Sequence, residues 1–332
     1  MFMVVYSHII SFGLTAYNPS PIGTWMKDTM LPLFFFISGF VAYKSTVMVG
    51  FKEYGCRVLR KFSKMLVPTI LMMGVMMWHT HANWAENLFS YDKGGYWYTL
   101  VLFQIFVIYL PFLMLTRYVK DPLLKVMILV SPFIIMTMIF RFIDLQSKIA
   151  VLFECIKVKG FYRFFILGAI TNLLMTEKTL LFSYCLHTFP KVIKPYILSA
   201  LFVLALLFTH YWGGKLLTQV LSLYLVFFAF KELDPWLNKE KNRFCYILST
   251  IGCNTLPIYL LHFFLLFRLP ESVVMYLVGL QSDYCFGSNS CCSLVEFLIV
   301  GICALLICYA SILISCTTKK IFPQIAKIFL GI

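Results

Sequence analysis

The chain has 332 residues, 61% of them hydrophobic and only 13% charged, with a mean hydropathy of +0.86. Soluble globular domains carry about 25% charged residues, so these figures exclude a protein with an ordinary water-facing surface. The formal net charge of +14 suits cytoplasmic loops held against anionic membrane lipid. Some of these cations also suit a polyanionic cosubstrate, and nucleic acid is not expected as a partner.

In chain order, apolar runs bounded by polar punctuation predict membrane segments near residues 1–17, 29–46, 65–82, 97–116, 123–140, 160–175, 194–212, 215–231, 244–267 and 293–315. Crossing a bilayer takes about 20 apolar residues as a helix. Runs of this length without alternation point to helices rather than barrel strands, because the backbone must satisfy its own hydrogen bonds in lipid. The predicted fold is an all-α polytopic transmembrane bundle of about ten helices, occupying residues 1–316 and followed by a short basic cytoplasmic tail at 317–332. One alternating set of loops, from Lys44 to Lys327, holds 19 of the 28 Lys and Arg residues. The positive-inside rule therefore puts that set, and both termini, in the cytoplasm. Against this, the stretch Arg141 to Arg163 places five basic residues on the predicted outer side.

His8 lies in an apolar first segment, where the charged form of an imidazole is costly. The neutral form is the one a general base needs, although a histidine bonded to a neighbouring helix fits the same position. The second segment carries Ser38-Gly39 at its middle, small residues that let a helix or ligand come close to the backbone. Arg57, Arg60, Lys61 and Lys64 follow at i, i+3, i+4 and i+7, one stripe if the segment is helical. Such a stripe can face lipid headgroups or hold phosphates. Tyr96-Trp97-Tyr98 opens the next long run and reads as an interfacial aromatic belt. Tyr259 and His262 share a helical face inside the run 244–267. His79 and His81 sit at a helix end with side chains about 200° apart on a helix, and no metal site is expected. Most of the eleven cysteines read as small buried hydrophobes; Cys285, Cys291 and Cys292 cluster in a polar stretch that admits a disulfide in an oxidising compartment.

Taken in order, these segments resemble the acyltransferase-3 family of integral-membrane acyltransferases. The resemblance rests on Val4-Val5-Tyr6-Ser7-His8, on the more specific Pro32-Leu-Phe-Phe-Phe-Ile-Ser-Gly-Phe40, on Lys61 to Pro68, and on Tyr96 to Phe103. It extends through Phe164 to Ala169 and Ile258 to His262. It implies transfer of an acetyl or other short acyl group from acetyl-coenzyme A, or another acyl-coenzyme A, to a hydroxyl of a cell-surface polysaccharide or its lipid-linked precursor in a bacterial inner membrane. No cofactor is expected to be held permanently. In this picture His8 is the catalytic base, Arg57, Arg60, Lys61 and Lys64 hold the coenzyme, and Ser38, Tyr259 and His262 line the substrate cavity. Two departures accompany the resemblance. The family's arginine eleven residues before the histidine would precede Met1, so the first helix is expected to be incomplete, through a late-assigned start or in an inactive relative. The family's paired arginines appear as Lys61 and Lys64, which bind phosphate without bidentate geometry. A non-catalytic glycan exporter is the competing reading, and it would need intramembrane charges along a path.

Overall fold

The computed structural model describes residues 1–14, 19–43, 50–91, 93–176, 215–237, 243–267, 270–282 and 288–331. The predicted segment 194–212 and Cys285 lie outside what is described, and Cys291 and Cys292 fall in the first turns of a helix where only the backbone is described. The helices in chain order are α1 (Phe2–His8), α2 (Pro21–Ala42), α3 (Phe51–Lys61), α4 (Val67–Thr80), α5 (Trp84–Leu88), α6 (Trp97–Leu115), α7 (Pro122–Ile139), α8 (Lys148–Leu152) and α9 (Cys155–Thr176). They continue with α10 (Lys215–Leu237), α11 (Arg243–Cys253), α12 (Thr255–Leu265), α13 (Glu271–Ser282), α14 (Ser288–Ile321) and α15 (Pro323–Phe329). No strand occurs among the described residues, as the all-α expectation requires.

Four described stretches are long and apolar enough to cross a membrane: Trp97–Tyr118, Pro122–Ile139, Cys155–Thr176 and Leu294–Ile321. The bent pair α11 and α12 makes a fifth if it is counted as one span. The apolar pattern predicted about ten, and the difference has local causes. The first run forms only the short apolar helix Phe2–Gly13, and the run at 215–231 is apolar over Leu216–Phe230. The run at 65–82 gives the 14-residue α4 behind a π-helical turn at Phe62–Leu66. The run at 29–46 is absorbed into α2, whose first half carries Lys27 and Asp28.

α2 begins eight residues before the predicted boundary because Ser20 caps it. The Gly23 N–H donates to Ser20 Oγ at 3.1 Å, and Pro21 occupies the first helical position, where a missing N–H costs nothing. Downstream, α11 and α12 meet at an 83° bend rather than running as one helix. Pro257 offers no N–H to the carbonyl four residues back and crowds it, and Asn254 turns its amide to Thr250 O at 2.8 Å.

The described residues fall into two compact units, Met1–Leu31 with Leu233–Ile332, and Pro32–Glu232. In the first, Val5, Tyr6, Ile9 and Ile10 pack with Val300, Ala304 and Ile307 of α14 and Ile258 of α12. Residues 317–321 continue α14, and α15 buries Ala326. In the second unit, a Cβ added to Gly39 would lie 1.8 Å from Phe165 O, and one added to Gly168 would lie 1.9 Å from Phe36 O. The backbones of α2 and α9 therefore touch at paired glycines, the close approach that small residues permit. Asn172 reinforces the crossing by donating from Nδ2 to Phe40 O at 2.6 Å and Tyr43 O at 3.1 Å. Tyr96, Trp97 and Tyr98, the residues read as an interfacial belt, make ring and core contacts within this unit. Tyr96 is buried, Trp97 stacks on Phe161 at 5.6 Å, and Tyr98 meets the edge of Phe35 at 5.1 Å.

Gly39→Val or Gly168→Val should overpack this crossing, at a cost of about 1–3 kcal/mol or more, and lower the melting temperature of the purified protein. Gly160→Ala, on the same helix with open space around it, should leave that temperature unchanged or raise it; equal effects at the three positions would contradict the close crossing.

Candidate functional site

In the first unit the site is built around a buried carboxylate. Glu296 lies in α14 with no exposed surface, and a charge there is tolerated only when donors surround it. Tyr6 Oη donates to its Oε1 at 2.8 Å, and the Ser20 backbone N–H donates to its Oε2 at 2.7 Å. Gly23 closes against the same group, since a Cβ there would lie 2.3 Å from Oε1. One side chain thus joins α1, the start of α2 and α14. Sequence reasoning missed Glu296, although a lone carboxylate inside an apolar run is itself a signal.

His8 ends α1 and leads into the π-helical turn Ile9–Gly13. Tyr6 and His8 are about 200° apart around the helix, so the side that carries Tyr6 to Glu296 turns His8 the other way, toward α12. There its ring centroid lies 5.2 Å from His262 and 4.9 Å from Phe263, with Phe12 stacked at 5.8 Å. His262 is fully buried, Tyr259 nearly so, and their rings are 6.0 Å apart. His262 Nδ1 lies 2.7 Å from Tyr259 O and 3.1 Å from Ile258 O. Carbonyl oxygens only accept, so Nδ1 carries the hydrogen. His8 is partly buried and the least enclosed of the three predicted residues gathered here, with Tyr259 and His262 buried beside it.

The other predicted site residues belong to the second unit. α3 carries Arg57, Arg60 and Lys61, and Lys64 follows on the π-helical turn. The helix itself agrees with the predicted stripe, but the four cations have different surroundings. Arg57 is held by Glu53, with Nη2 at 2.6 Å and Nε at 3.1 Å from the same oxygen. The Lys61 ammonium sits 3.3 Å from the centre of the Phe106 ring, while Arg60 and Lys64 are exposed. Burial and the neighbouring Arg57 push Lys61 down to about 8, whereas the Phe106 face favours its charged form. Ser38 is half-buried and shares a hydrogen bond with Tyr98, and its neighbour Gly39 is used by the helix crossing.

A second buried charge also went unpredicted. Lys93 donates from Nζ to Leu88 O at 2.7 Å, Ser90 O at 3.1 Å and Val151 O at 3.0 Å, with Glu154 Oε1 at 3.1 Å. Lys157 lies 3.3 Å from the other Glu154 oxygen and 4.2 Å from the centre of the Trp97 ring. Lys93 and Lys157 thus share one carboxylate, an arrangement that ties the 84–95 connection to α8 and α9. His81 ends α4 in the left-handed region at φ 53° and is exposed, as is His79.

A family model described as an acyltransferase domain matches residues 1–316. No curated protein and no solved structure matches the chain significantly.

Because burial and Arg57 push Lys61 down to about 8, its reactivity toward amine-directed acylating reagents should rise with a midpoint near pH 8. Competitive labelling against a free alkylamine standard, read by peptide mass spectrometry, measures that midpoint. A midpoint equal to that of the standard would remove the buried environment assigned to Lys61.

Proposed function

This chain belongs to the acyltransferase-3 family and is a membrane acyltransferase, and on that premise we propose that it moves an acetyl or other short acyl group from cytosolic acyl-coenzyme A to a hydroxyl of a surface polysaccharide or its lipid-linked precursor. His8 acts as the general base. It takes the proton of the acceptor hydroxyl as that oxygen attacks the thioester carbonyl, and it returns the proton to the coenzyme thiolate when the carbon–sulfur bond breaks. General-base help of this kind is typically worth ~10²–10⁴ in rate. The observation that carries the reading is the setting of His8: a partly buried imidazole among Phe12, Phe263 and His262, on a helix whose rotation is fixed by Glu296.

Arg57, Arg60, Lys61 and Lys64 supply positive charge for the phosphates of the coenzyme. Ser38 offers a hydroxyl to the acceptor or the acyl group, and Tyr259 and His262 form the wall behind the base. The loop distribution of Lys and Arg supports cytoplasmic termini in a bacterial inner membrane, which puts α3 on the side where acyl-coenzyme A is made.

His8→Ala in the whole protein, with membrane insertion checked by immunoblot, should lower the O-acetyl content of the host's surface glycan by ~10²–10⁴ relative to wild type, as read by mass spectrometry. Unchanged O-acetylation would remove His8 from the chemistry.

A further inference from the structure

His262 presents a buried polar atom that the proposed chemistry has not yet used. Its Nδ1–H is committed to the Tyr259 and Ile258 carbonyls, so Nε2 of the neutral ring is a bare lone pair. That atom is buried, with no hydrogen-bond partner among the described residues, and a buried acceptor left unmatched is costly to the fold. Protonating it would be worse, because the ring is fully enclosed, with the tilted Phe263 ring at 4.1 Å between centroids. The polar ring nearest to it is that of His8, 5.2 Å away between centroids. Two imidazole rings at that separation can reach each other nitrogen to nitrogen when both edges face inward.

We propose that His262 is a positioning residue for His8: its Nε2 lone pair receives an N–H of the His8 imidazolium that forms when His8 takes the acceptor's proton. One ring nitrogen of His8 accepts the proton from the hydroxyl, and the other, already protonated, donates to His262. No proton passes to His262. When the thiolate leaves, the first nitrogen gives up its proton and His8 becomes neutral again. The interaction is weak while His8 is neutral and strengthens when it is charged, so it favours the transition state over the ground state. Because His262 is sealed behind His8, it acts only through that ring.

Among the described residues, Lys27 on α2 is the cation whose field reaches His8, and His8 and Tyr259 lie beside His262. Lys27 opposes a positive charge on His8, and the His262 lone pair is the element that compensates for it.

The inference rests on His8 being the base, and the two can fail separately. Diethyl pyrocarbonate modifies neutral imidazole, so the pH of half-maximal His8 modification, read by peptide mass spectrometry on the full chain in lipid nanodiscs, reports the His8 equilibrium without any acceptor. His262→Phe should move that midpoint down by about one pH unit, a tenfold change in the proton equilibrium, and His262→Gln, which keeps an acceptor, should restore most of it. Glycan O-acetylation should fall with His262→Phe and recover with His262→Gln. An unmoved midpoint in both variants overturns the role of His262 while leaving His8→Ala to decide the base. Should neither variant fold, ¹⁵N-histidine spectra of the wild-type protein carry the test. His262 should stay neutral with hydrogen on Nδ1 from pH 5 to 9, and an Nε2–H tautomer would overturn the proposal.

Discussion

The first unit depends on the Glu296 carboxylate and the donors that surround it. A carboxylate with no exposed surface survives folding only if its oxygens are met by donors, and Tyr6 Oη and the Ser20 N–H meet one oxygen each. Because those donors come from α1 and from the start of α2, satisfying the charge aligns both elements with α14. Had Gly23 been any other residue, its Cβ would occupy the carboxylate's place. The direction of His8 follows from the rotation of α1 that this bond sets, and the α11–α12 bend brings His262 to the end of a short helix facing it.

The second unit is organised by a different constraint, the backbone contact at Gly39 and Gly168. Once α2 and α9 touch there, Phe36, Phe165 and their neighbours interlock into an aromatic core in which Phe106 and Tyr109 also pack on Phe165. α6 then serves as the platform for α3. Tyr54 donates to Val107 O at 3.4 Å, and Lys61 lies on Phe106. The basic helix is therefore fixed on one side and open on the other, where Leu59, Arg60, Phe62 and Lys64 are exposed. That division keeps two cations within reach of solvent and gives the other two defined partners.

Local pattern made most helices legible, because a run of apolar residues long enough to cross lipid has few alternatives to a helix. It also singled out His8, His262 and the cations, since charge or an imidazole inside or beside an apolar run is conspicuous. Other features depend on partners far along the chain. The Ser20 cap hid behind Lys27 and Asp28, which made the start of α2 look like a loop. The Tyr96–Tyr98 aromatics look the same whether they meet headgroups or Phe35 and Phe161. Glu296 is 290 residues from Tyr6, and no local rule joins them. The bend at Asn254 lies inside the single apolar run 244–267, whose length gives no sign of it, while Pro257 is the local residue that breaks the helix.

The central claim, that the buried carboxylate fixes the helix bearing His8, is tested most directly by a double-mutant cycle of Tyr6→Phe and Glu296→Gln, measured as unfolding stability of the whole protein in one lipid environment. Residues in direct contact couple by about 0.5–3 kcal/mol, whereas independent sites add within about 0.3–0.5 kcal/mol. Coupling of about 1 kcal/mol or more is the result this account predicts. Strict additivity of the two substitutions would contradict it.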